Sequence, residues 1–260
     1  MPDDRLITPA STPVSFAYDL GEAPGRYRIG LIALSSDYAT ERDFAKMRPS
    51  DQVAVFTNRV RYANPCTPEN LRAMAPLLGE AAALILPEGR IDVIAYSCTS
   101  ASVVIGYEAV AESIHRGRPE VPVVTPITAA LAGLKVLGAR RIAVLTPYLD
   151  SVNGEIARYL TDHGQEVVGF TSFGLADDQD MARLTPETIL KAGLEADRPD
   201  AEALFISCTA IRAAEVAGEL ERALGKPVVT ANQALYWHAL RQAGCQDPVQ
   251  GYGRLLADAA

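Results

Sequence analysis

Two distant stretches of this sequence follow one pattern: Ile91–Ser100 is an apolar run ending in Ser97-Cys98-Thr99, and Ala201–Ala210 is an apolar run ending in Ser207-Cys208-Thr209. The likeness extends to their surroundings. Pro122–Thr125, downstream of the first, is echoed by Pro227–Thr230, and upstream Arg28–Ser35 is echoed by Arg141–Pro147. Matched segments in the same order describe a duplication. Each half reads as β-helix-β-helix-β-(Ser-Cys-Thr)-helix-β. Short β-branched runs alternating with helical stretches imply βαβ units and a parallel sheet covered on both faces. The predicted fold is α/β: two pseudo-symmetric lobes, each with a mainly parallel four-stranded sheet flanked by helices, and an active site in the interlobe cleft.

The strands expected in the first half are Arg28–Leu34, Val53–Thr57, Ile91–Tyr96 and Val121–Thr125. In the second they are Arg141–Thr146, Glu166–Thr171, Ala201–Ser207 and Pro227–Thr230. Helical stretches are Pro68–Leu86, Ile127–Leu137, Val152–His163, Pro186–Ala196 and Ala210–Leu224, with Gly138, Gly164 and Gly225 placed to end helices. Residues 1–27, rich in Pro, Ser, Asp and Gly, read as an arm, followed by an N-terminal lobe 28–138 and a C-terminal lobe 139–260. The last helix is a candidate to pack back on the first lobe. A net charge of −8 disfavours a nucleic-acid or anionic-membrane partner, whose phosphates would be repelled. Met1–Arg5 shows no basic start leading into an apolar stretch, and the longest apolar run, Ala81–Leu86, falls far short of a membrane span of ~20 residues. Four cysteines in 260 residues are too few for a disulfide scaffold. These features predict a cytoplasmic protein in a reducing compartment, compatible with a homo-oligomer.

In a parallel α/β sheet, ligands bind beyond the carboxyl ends of the strands. Both Ser-Cys-Thr triplets fall there, each where a buried strand is expected to turn into a helix. Unpaired N–H groups and the helix macrodipole favour thiolate at such a turn, and with the Thr99 and Ser100 hydroxyls they suit a carboxylate or an oxyanion. A free cysteine is usually only a small buried hydrophobe, but a symmetric pair in identical triplets points to chemistry. Cys98 and Cys208 are therefore the candidate catalytic residues, facing each other across the cleft. Cys66, in a loop, and Cys245, after an apolar helix, receive no role. No metal site is expected, since there is no CxxC pair and His115, His163 and His238 stand singly. No GxGxxG, P-loop or GxSxG motif is present, so the expected chemistry needs no cofactor.

The paired Ser-Cys-Thr turns on a duplicated α/β chain resemble the aspartate/glutamate racemase superfamily, in its branch of maleate cis-trans isomerases and arylmalonate decarboxylases. Leu34–Phe44 and Arg59–Ala63 look most like the ectoine-utilisation protein of that branch. The resemblance implies that Thr99, Ser100 and Thr209 hold a carboxylate of a small substrate, and that Tyr148 and Tyr62 reach it. It also implies an isomerase or racemase acting next to a carboxylate of a small amino acid or diacid. Arylmalonate decarboxylases retain only the second-lobe cysteine, so both cysteines together weigh toward isomerisation or racemisation. Where maleate isomerases carry asparagines, this sequence has Asp37 and Asp178. An ionised aspartate only accepts hydrogen bonds, so both aspartates are candidate readers of a substrate ammonium. Two other readings stay open: a malonate-type decarboxylase using Cys208 alone, and a non-catalytic binder of an amino acid or diacid, which would need neither thiol.

Overall fold

A computed structural model describes residues 11–258; the first ten residues of the expected arm and residues 259–260 lie outside the described residues. Residues 11–24 run exposed and carry no regular structure. The chain enters the fold where Arg28 Nε donates to the Gly25 carbonyl at 2.9 Å.

All eight expected strands form: β1 (Tyr27–Leu34), β2 (Val53–Val60), β3 (Val93–Tyr96), β4 (Val123–Val124), β5 (Arg141–Tyr148), β6 (Glu166–Leu175), β7 (Ala203–Ile206) and β8 (Val228–Thr230). They make two four-stranded sheets with one topology, β2-β1-β3-β4 and β6-β5-β7-β8. Every pairing is parallel. The central strands are the most apolar, as burial on both faces demands: every residue of β3 and β7 is buried. In each sheet the strand order reverses between β1 and β3, or β5 and β7, which opens a crevice at their carboxyl ends. Both Ser-Cys-Thr triplets follow directly from those strands.

Helix ends match their residues. Gly225 takes a left-handed φ of 71° after the helix Ala217–Leu224, a conformation that costs a side-chain-bearing residue more. Two expected helices form differently. Pro68–Leu86 is divided into Pro68–Arg72, a 3-10 turn Ala75–Leu77 and Leu78–Ala83. Pro76 lacks an N–H and restricts the residue before it, which breaks the α-helix there. Ala210–Leu224 begins only at Ala213, as a 3-10 turn, and becomes α-helical at Ala217.

The lobes are joined by exchange. The helix Ala231–Gln242 leaves β8 but packs on β3 and β1 of the first lobe and on the helices Thr40–Lys46 and Pro126–Val136. Phe44 meets Tyr236 with ring centroids 4.5 Å apart. In the first turn of that helix, Asn232 Nδ2 donates to Asp43 Oδ2 at 2.8 Å and to the Thr209 carbonyl at 3.0 Å. The Thr209 hydroxyl donates to the Ser97 carbonyl at 3.3 Å. Among the described residues no helix is long and apolar enough to cross a membrane.

Asp43 is 1% exposed, and burial pushes its carboxyl up to about 7, with Asn232 partly opposing the rise. A carboxyl whose folded pKa is raised keeps its proton in the fold after the unfolded chain has lost it. Its contribution to stability therefore falls as pH rises from about 4 to about 7 and is constant above that. Asp43→Asn keeps an acceptor for Asn232 and removes this slope. Urea unfolding should show the variant gaining ~2 kcal/mol or more relative to wild type at pH 8 compared with pH 4.5. A difference independent of pH would mean that Asp43 is not the titrating group.

Candidate active site

Cys98 stands at the end of β3 in extended backbone (φ −152°) and caps the helix Thr99–Ile105. Its sulfur accepts from the Ala101 N–H at 3.4 Å, and the Ser100 hydroxyl lies 3.6 Å away. The Thr99 hydroxyl is buried with no partner among the described residues, a donor left for something the site receives. Behind the turn, the Tyr96 hydroxyl lies against Cys98 and donates to Met74 Sδ at 3.7 Å.

The second triplet departs from the expected symmetry. Cys208 has φ +103°, a left-handed region that favours glycine and costs another residue roughly 1–3 kcal/mol. No helix begins after it, because Thr209 is drawn into the interlobe hydrogen bonds with Ser97 and Asn232. Helix-terminus stabilisation therefore does not apply to Cys208. Its sulfur instead accepts from the Ala210 N–H at 3.3 Å and lies against the hydroxyl of the buried Tyr148. Asn153 Nδ2 holds the Tyr148 carbonyl at 2.9 Å.

The loops after β1 and β2 close the site. Asp37, expected to read the substrate, spends its carboxylate locally: Oδ1 accepts from the Ala39 and Thr40 N–H groups at 2.7 and 2.9 Å, and Oδ2 from the Thr40 hydroxyl at 2.5 Å. Thr40 gives its one proton to Asp37, so the Ser97 hydroxyl, 2.6 Å from that of Thr40, donates to Thr40, and three of the roughly four acceptor sites of the carboxylate are held by its own loop. Asp37 thus organises its own loop, where the sequence reading expected a carboxylate free for a substrate ammonium. Asp178 differs. It is 6% exposed, Ser36 donates to its Oδ2 at 2.7 Å, and its charge is felt by Cys66, Cys98, Cys208 and Tyr62. Tyr148 is likewise near the thiols of both lobes. The two halves therefore converge on one region containing Cys98, Thr99, Ser100, Tyr148, Asp178, Cys208 and Tyr62.

Sequence reasoning missed Cys66. Its sulfur lies 3.9 Å from the Ser100 hydroxyl, and its N–H donates to the Ala176 carbonyl of the opposite lobe at 2.8 Å. Nearby, Asn64 spans the same seam, with Nδ2 donating to Asp177 Oδ1 at 3.3 Å and Oδ1 accepting from the Asp178 N–H at 3.2 Å. A loop flanked by prolines carries no periodicity that would place it over the site.

Cys98 and Cys208 are each 4% exposed, and burial raises both thiols above their usual range. For Cys98 the Ala101 N–H and the Ser100 hydroxyl oppose the rise. For Cys208 the charge of Asp178 adds to it, while Tyr148 and the Ala210 N–H oppose it. The expectation that the turns favour thiolate is therefore not met: loss of water outweighs the donors.

The sequence profile of the arylmalonate decarboxylase family matches residues 72–256. Arylmalonate decarboxylase of Bordetella bronchiseptica is 36% identical over 138 residues, which cover 52% of this chain and 58% of that protein. Maleate isomerase of Nocardia farcinica is 28% identical over 243 residues, covering 89% of this chain and 96% of its own. A solved structure of a maleate cis-trans isomerase from Nocardia farcinica, a Cys-to-Ser mutant with a covalently bound succinylcysteine intermediate, superposes with a TM-score of 0.81. It is 26% identical, covering 89% of this chain and 98% of that one.

Alkylation requires thiolate, so the raised thiols set a pH profile. Iodoacetamide labelling of Cys98 in the unliganded protein, followed by peptide mass spectrometry, should rise about tenfold per pH unit from pH 7 to 9 without levelling. A plateau below pH 8 would contradict the burial effect.

Proposed function

The chain belongs to the arylmalonate decarboxylase family, and from that membership and the two-thiol site we propose that it is a cofactor-independent isomerase acting next to a carboxylate, with cis-trans isomerisation of an unsaturated diacid as the leading reaction. The carrying observation is the placement of Cys98 and Cys208 at the carboxyl ends of equivalent strands, both near Asp178 and Tyr148. The end-to-end likeness to a maleate isomerase and the thioether trapped in a relative support this reading.

In this mechanism Cys98 is the nucleophile, because the hydroxyl of Ser100 faces it and the matching residue of the second lobe is Ala210. Its proton passes to a carboxylate oxygen of the substrate, which returns it when the cycle closes, and the resulting thiolate adds to one alkene carbon and forms a C–S bond. The π electrons move to the carbon beside the carboxylate, which takes the proton of the Cys208 thiol. The former double bond is now single and rotates. Cys208 thiolate then withdraws that proton, the double bond re-forms, and the C–S bond breaks to release the trans isomer and Cys98 thiolate. The buried, unpartnered hydroxyl of Thr99 is the donor for a substrate carboxylate.

Asp178 favours a second reading, racemisation of an amino-bearing acid, with one thiol removing the α-proton and the other protonating the opposite face. A partly buried carboxylate attracts an ammonium and repels a further carboxylate.

Maleate incubated with the protein in D₂O and followed by NMR tests the leading reading. Conversion to the trans isomer is expected, and Cys98→Ala and Cys208→Ala should each lower kcat/KM at least ~10³-fold with the melting temperature preserved. Full activity of Cys208→Ala defeats every two-thiol version. Carbon dioxide release from an arylmalonate, retained in Cys98→Ala, would establish a decarboxylase instead. Asp178→Asn carries a separate expectation: affinity for maleate relative to aspartate should rise roughly tenfold. An unchanged ratio in competition binding would remove Asp178 from substrate selection.

A further inference from the structure

The Ser100 hydroxyl has one proton and two sulfurs to choose between, Cys98 at 3.6 Å and Cys66 at 3.9 Å. Pointed at Cys98, the proton stabilises a thiolate there; pointed at Cys66, it leaves Cys98 with the Ala101 N–H alone among these donors. We infer that Cys66 is a positioning residue, whose S–H donates to Ser100 Oγ and thereby commits the Ser100 proton to Cys98. The inference rests on the reading of Cys98 as the nucleophile.

Several observations support it. Cys66 is 3% exposed, and burial pushes its thiol up to about 11, so it keeps the proton it would donate at working pH. Ser100 is itself 3% exposed, and a hydrogen-bond chain shielded from water polarises each member. The Tyr62 hydroxyl lies against the Cys66 sulfur as a donor to it, which leaves the Cys66 proton free for Ser100. The second lobe has no such chain, because Ala210 stands in place of Ser100.

The position of Cys66 is also built from both lobes. Its N–H is held by Ala176, and Asn64, two residues earlier, grips Asp177 and Asp178. The sulfur meets Ser100 only while this strap spans the seam.

The test reads Cys98 directly and needs no substrate, so it stands or falls separately from the choice of reaction. Iodoacetamide alkylation of Cys98 at pH 8 is followed by peptide mass spectrometry in wild type, Ser100→Ala, Cys66→Ala, Cys66→Val, Cys66→Ser and the Cys66→Ala/Ser100→Ala double variant. Alkylation of Cys208 in the same samples reports any change of access, and valine fills the space should the alanine variant not fold. Relative to Cys208, Cys66→Ala and Cys66→Val should slow Cys98 labelling about three- to tenfold, as Ser100→Ala does. The double variant should add little, since both changes break one chain. Cys66→Ser, which restores a donor, should label within about twofold of wild type. An unchanged or faster Cys98 rate in the alanine and valine variants, independent multiplication of the two effects, or a serine variant that behaves like alanine would overturn the inference.

Discussion

Two parallel sheets that turn their carboxyl ends toward one another bring loop backbone into a dry seam, where its polar backbone groups must find partners. That requirement organises this protein. Asn232 meets it with both hydrogens of one amide, binding Asp43 of one lobe and the Thr209 carbonyl of the other. Thr209 returns a bond to the Ser97 carbonyl, and the Ser97 hydroxyl lies 2.6 Å from that of Thr40, which is held by Asp37. The residues beside the two cysteines are thus the residues that join the lobes. A buried donor or acceptor left unpaired costs ~1–3 kcal/mol, so this network resists any change of interlobe register. The thiols inherit their placement from it.

The same seam breaks the symmetry that duplication would impose. Cys98 keeps the ordinary geometry of a helix cap, whereas Cys208 is pulled to a positive φ by the bonds Thr209 makes across the seam. Cys98 takes its hydroxyl from Ser100 on its own helix, whereas Cys208, with Ala210 in that place, takes it from Tyr148; Asp178 opposes ionisation of both. An acid and a nucleophile require different environments, and two small departures supply them on otherwise equivalent strands.

Much of this was legible in the sequence because burial writes periodicity. The eight strands are apolar runs bounded by turn residues, and the repeated triplets mark equivalent strand ends. Three features were not legible, each for its own reason. The helix expected from Ala210 is lost to tertiary hydrogen bonds that local propensity does not encode. Asp37 is polar at the mouth of a ligand crevice, yet its lone pairs go to its own loop, and only geometry reveals where a carboxylate spends its acceptors. Cys66 reaches the site through a contact with Ala176, far away in the chain, which no spacing rule anticipates.

The elevated thiol pKa values conflict with a nucleophilic role only if the thiolate is required at rest. A site meant for a small anion is better served by neutral thiols, because two ionised sulfurs within it would repel the ligand they are to act upon. Burial of Cys98 and Cys208 achieves this, and the neutral donor Thr99 remains available for a carboxylate oxygen. A thiolate formed from a high-pKa thiol is also intrinsically the stronger nucleophile, since nucleophilicity falls as pKa falls. Ionisation then needs to be brief and local. A hydroxyl donor fixed on each sulfur permits this without charging the site at rest.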